Sequence, residues 1–195
     1  MMKISEFLEY AISKEVEYND NFWENVENII SDTHSRRGFI EEYKLLEPRL
    51  NKDNIMAAIG LITDIVTSLE FNLPELYPTL LKWMYKPFSY NYSVCHRIAK
   101  LLINIKEGEK DGVFNDMVNL MNPLDITSIK ISICALYSNF EFSDLKKSLV
   151  LKYLEKVCEC FILNKNDESL KRDINNFLLS KITDNDYSDF ILKLT

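Results

Sequence analysis

Four times along this chain an apolar triplet recurs with the spacing that lines one face of an α-helix. Ile55, Ile59 and Ile62 lead to Val66; Val94, Ile98 and Leu101 lead to Ile105. Ile129, Ile133 and Leu136 lead to Phe140, and Leu170, Ile174 and Phe177 form the fourth set. The steps i, i+4 and i+7 bring side chains onto one stripe of a helix, and such a stripe has to be buried against another element. The triplets begin 39, 35 and 41 residues apart, with room in each interval for a partner helix and a turn. No alternating segment of comparable length competes as a strand; the β-branched run ITSIKISICALY is the one ambiguous stretch. The expected fold class is all-α, built of antiparallel helical hairpins.

The remaining helices follow from caps and breakers. Ile4–Ser13 carries apolar residues at helical spacing, with Ser5 as a candidate N-cap. Asn19 or Asp20 opens a second helix holding Phe22, Trp23, Val26, Ile29 and Ile30, and SDTHSRRG is a loop or a frayed helix start before a third from Phe39 to Leu46. Pro48 and Pro87 mark stops. Pro78 would meet the carbonyl of residue 74 in a continuous helix, so the regular part there is expected from about Thr79. KEGEKDG holds two of the four glycines and is the clearest loop, ahead of a short helix over Val113–Met121. Asp125 or Thr127, Ser143 with Asp144, and Asn166 or Asp167 cap the next three helices, and Tyr187–Leu194 closes the chain.

Only four glycines and five prolines in 195 residues leave little material for the tight turns of a β-fold. A chain of this length suits one domain, with residues 1–50 as acidic N-terminal helices and 51–195 as repeat-like hairpins. The period and helix-pair content of 51–195 resemble HEAT-like α-solenoid units, in which each pair buries its face against its neighbours. An irregular helical bundle is the alternative.

Catalytic signatures are missing. There is no glycine-rich phosphate loop and no nucleophile elbow. Cys95, Cys134, Cys158 and Cys160 lack the paired spacing of a zinc site or a disulfide framework, and three of them sit in apolar helical patterns as small hydrophobes. We expect no catalytic residue, no cofactor and no metal. His96, beside Val94 and Ile98, fits a structural role at the edge of the core. His34 joins Arg36 and Arg37 in THSRR, a basic group that either neutralises nearby carboxylates or holds an anion. HEAT-like folds include enzymes acting on damaged DNA, but those need a basic groove, and the basic residues here are dispersed.

The charge is distributed unevenly. Residues 1–32 carry −6 of the chain's −7, including Glu17, Asp20, Glu24 and Glu27. That is a solvated outer face or a surface for a basic partner, and it disfavours nucleic acid, which demands clustered Lys and Arg. WMYKPFSYNY gathers Trp83, Tyr85, Phe88, Tyr90 and Tyr92 around a proline break. Such rings either close two helices as a small core or anchor an interface. The N-terminus has acids where a signal peptide needs an apolar core, and no run reaches membrane-spanning length, so a cytoplasmic protein without membrane contact is expected. A small, acidic, all-helical chain of this kind resembles the immunity proteins of bacterial toxin systems, contact-dependent inhibition among them. The resemblance implies a protein partner, a basic and in many cases nuclease toxin domain, whose active site is occluded. A helical-repeat adaptor is the rival reading.

Overall fold

The computed structural model describes residues 3–13, 19–182 and 187–194. Every regular element among them is helical, and the chain groups into two compact units, Met1–Trp83 and Met84–Thr195. No helix among the described residues is long and apolar enough to cross a membrane.

The first unit contains α1 (Ile4–Ala11), α2 (Asp20–Ser31), α3 (Thr33–Lys44), α4 (Ile55–Thr67) and most of α5 (Tyr77–Met84). Asn19 caps α2, its side-chain oxygen accepting from the Phe22 amide at 3.0 Å. Of the two readings of SDTHSRRG, loop or helix start, the structure takes the second, and Thr33–Gly38 opens α3. The carboxylate of Asp32 accepts the Ser35 amide at 2.8 Å, giving the helix an N-cap seven residues before its first core ring, Phe39. Lys3, not Ser5, occupies the cap position of α1. Pro78 is accommodated because α5 begins only at Tyr77. The proline therefore sits in the first turn, where the carbonyl of residue 74 belongs to the preceding 3₁₀ turn, Pro74–Leu76. The core is held by Tyr43 and Trp83, both fully buried with ring centroids 5.2 Å apart, and the Tyr43 hydroxyl donates to the Ala58 carbonyl at 2.7 Å.

The second unit contains α6 (Tyr92–Ile105), α7 (Lys110–Leu120), α8 (Ile126–Asn139), α9 (Lys147–Leu163), α10 (Glu168–Asp173) and α11 (Ser188–Leu194). A π-helical turn, Ile174–Leu178, extends α10. Helices α6, α8 and α10 pack in succession as one layer, α7, α9 and α11 as the other, and α6 with α7 and α8 with α9 pack as hairpins. Two layers packed in this way suit an all-α helical bundle or an α-solenoid. Lys146 amide to Asp111, Lys152 to Asn119 and Lys156 to the carbonyls of Val118 and Met121 join residues 33 to 38 apart, so α7 and α9 run parallel. Lys130 to Ser169 and Lys181 to Glu141 join residues 39 and 40 apart in the same way. The triplets of α6, α8 and α10 are thus successive members of one layer. All their residues are buried except Phe177, which is half-buried. The wider π-turn sets it off the core stripe, and Leu178 is buried in its place.

KEGEKDG is shorter as a loop than expected. Glu107 and Gly108 adopt positive φ, and α7 already starts at Lys110, which places Gly112 inside it. The ambiguous run ITSIKISICALY is the body of α8, capped by Asp125.

Lys130 and Asp173 are a buried ion pair at 3.8 Å in the α8–α10 joint. Burial raises the Asp173 carboxyl, against the pull of Lys130 and Arg172. Lys130→Ala leaves the buried Asp173 carboxyl with Arg172 as its remaining cation and is expected to lower stability by up to about 3 kcal/mol. The double replacement Lys130→Met with Asp173→Leu should return most of that loss. Urea titration of the three chains reads both, and equal losses in single and double variants would contradict it.

Candidate functional site

In α2 the residues alternate between two jobs. Phe22, Val26 and Ile30 are buried, while Asp20, Glu24 and Glu27, at i, i+4 and i+7, are exposed on another face. Asp20 lies in the first turn, where the helix N-terminus favours an anion. Glu24 and Glu27 have no such support, and among the described residues none of the three pairs with a cation. Like charges at this spacing repel by about 0.2–0.5 kcal/mol per pair. Glu17 lies outside the described residues.

The aromatic segment divides. Trp83 is fully buried against Tyr43 and is a core residue of the first unit, so it cannot serve as a surface anchor. In the second unit the Tyr85 hydroxyl donates to the Met117 carbonyl at 3.0 Å, and burial pushes the phenol well above its ordinary range. That side chain is half-buried and fastens the entry of α6 to α7. Phe88 is half-buried. Tyr90 and Tyr92 stay exposed, at 41% and 42%.

Around those two rings the structure assembles a patch that spans the α6–α8–α10 layer. Tyr92 stacks on His96 at 6.4 Å and 6°, and on Phe177 of the π-turn at 5.9 Å and 28°. Tyr137 of α8 lies 5.1 Å from Phe177. The Tyr92 and Ser138 hydroxyls share a hydrogen bond. The Lys130 ammonium stands 4.9 Å from the Tyr90 ring centroid. Sequence reasoning missed Tyr137 and Phe177, because Phe177 completes a core triplet and only the π-turn brings it to the surface.

His96 is fixed on this patch. The Asn139 amide nitrogen lies 3.3 Å from both His96 Nδ1 and the His96 carbonyl, and donates to the Ala135 carbonyl at 2.9 Å. A donor facing Nδ1 suits the neutral ring, since the imidazolium would place a proton there. Burial lowers the His96 pKa below its ordinary value, and the Lys100 and Arg97 charges lower it further.

The four cysteines are buried and free. Burial pushes the Cys95 thiol up to about 12 and the Cys134 and Cys158 thiols up to about 11. Among the described residues no group of three His, Cys, Asp or Glu side chains is placed to hold a metal. Comparison with family models, with curated proteins and with solved structures finds no match.

The His96 geometry has a pH consequence. Its folded pKa lies below the unfolded value, so the unfolded chain takes up the proton first as pH falls. The contribution is fully present above the unfolded value of 6.5 and is lost as pH drops from there through the folded pKa. His96→Gln should flatten that part of the stability profile, read by urea titrations between pH 7.5 and 5; an unchanged slope in the variant would assign it to other groups.

Proposed function

We propose that this chain is a non-catalytic protein-binding module of the immunity type, acting in the cytoplasm on a basic toxin domain. The observation that carries the reading is the α2 face. Three exposed carboxylates at i, i+4 and i+7 repel one another, gain no ion pair among the described residues and add nothing to the core. Such a face offers the charge pattern of successive phosphates to a basic nucleic-acid-binding surface and steers it into encounter over about a Debye length. Tight inhibition then needs apolar anchors as well as charge. Exposed Tyr92, backed by Tyr137 and Phe177, and exposed Tyr90, beside Lys130, have the chemistry of such anchors.

A helical-repeat adaptor is the second reading, and the same aromatic patch favours it, because it draws side chains from α6, α8 and the π-turn. The two readings separate on which surface matters.

The test is capture of the partner followed by association kinetics. For an immunity protein the partner is basic, association slows as salt is raised, and Glu24→Lys with Glu27→Lys cuts the association rate roughly tenfold while leaving thermal stability nearly unchanged. Binding that ignores both salt and the double reversal, but fails with Tyr92→Ala, makes the chain an adaptor and removes the acidic-face reading.

A further inference from the structure

The THSRR group lies beside a cleft that the proposed function does not use. The C-terminal end of α2, the face of α3 that carries Arg36, Arg37, Ile40 and Lys44, and the segment from Phe71 to Glu75 enclose about 560 Å³. Small-ligand sites commonly fall at about 300–1,000 Å³. Its apolar lining is Ile30 and Ile40, both core residues, with half-buried Phe71.

The cations around it are in three different states. Lys44 is committed to Glu41 at 3.0 Å. Arg36 is half-buried and held in place, one guanidinium nitrogen donating to the Asn72 carbonyl at 2.6 Å. Glu75 forms an ion pair with that same nitrogen at 3.8 Å, so Arg36 is both anchored and partly neutralised. Arg37 is exposed and has no carboxylate partner among them. Arg36, anchored, and Arg37, exposed, both line the cleft, and guanidinium donors match the two oxygens of a planar carboxylate in a way a point charge does not. Glu41 and Glu75 at the rim disfavour a second negative charge on the ligand.

We propose that this cleft binds a single carboxylate carried on an apolar body, Arg36 and Arg37 taking the carboxylate and half-buried Phe71 taking the apolar part. Two sources offer that chemistry: a free apolar carboxylic acid, and the terminal residue of a peptide. The site is independent of the toxin-binding reading, because it uses none of the α2 carboxylates.

The test is an amide-resolved NMR titration of the full chain with four probes: N-acetylphenylalanine, a hexapeptide ending in a free Phe carboxylate, the same peptide as its C-terminal amide, and inorganic phosphate. The free carboxylates should give saturable shifts centred on Arg36, Arg37, Ile40 and Phe71, and the amide should give none. Arg37→Gln, on an exposed position that leaves the fold intact, should weaken the carboxylate at least fivefold; thermal unfolding of the variant checks the fold. Tighter binding of the free-acid peptide than of N-acetylphenylalanine supports the site with a peptide terminus as its source, and the reverse order supports it with a small acid. Equal shifts from acid and amide, phosphate binding more tightly than either acid, or an Arg37→Gln chain that binds unchanged would each overturn the proposal.

Discussion

The second unit depends on apolar faces that can leave water only against one another. A helix of the length of α6 or α8 is marginal alone, and the six residues of α10 are far below that limit. Each buried Ile or Leu contributes about 1.5–3 kcal/mol when it leaves water, against about 1–2 kcal/mol of backbone entropy for every residue fixed. A single face cannot close that balance, but a face pressed between two others does. The parallel stacking of α7 with α9 and of α8 with α10, at nearly constant separation along the chain, is the geometry that supplies the neighbours. Lys130 and Asp173 are tolerated inside this joint because they satisfy each other, and Ser169 takes a further Lys130 donor.

How much of this was legible in the sequence follows from where physics is local. The triplets of α6 and α8 marked helices and core together, because helix period and burial coincide there. Caps such as Asn19, Asp125 and Asp167 were legible because the side chain and the amide it accepts are two or three residues apart. The start of α3 was legible only as one of two alternatives. Thr33–Gly38 is polar throughout and carries no apolar stripe, so only the Asp32 cap and packing against the first unit's other helices declare it helical. Trp83 and Phe177 failed for a related reason. Local pattern assigned one to an aromatic surface segment and the other to a core stripe, and tertiary packing with a π-turn exchanged those roles.

The candidate surfaces were legible in part. The α2 carboxylates follow directly from helix spacing, since the same period that buries Phe22, Val26 and Ile30 must turn Asp20, Glu24 and Glu27 outward. The aromatic patch was half visible. Tyr90 and Tyr92 stand together in the sequence, whereas Tyr137 and Phe177 arrive from other helices of the layer. An acidic face on one unit and an aromatic patch on the other are therefore different kinds of feature, one written in local period and the other made by stacking.

The buried thiols have a practical side. Cys95, Cys134, Cys158 and Cys160 are all at most 7% exposed, and their protonated form is favoured by the same burial. Thiolate is the species that alkylating reagents and oxidants attack. The native chain will behave towards such reagents as though it had no cysteine, without any being removed. A cysteine introduced on α2 or beside Tyr92 would then be the single reactive position, and a dye or cross-linker placed there would report on that surface alone.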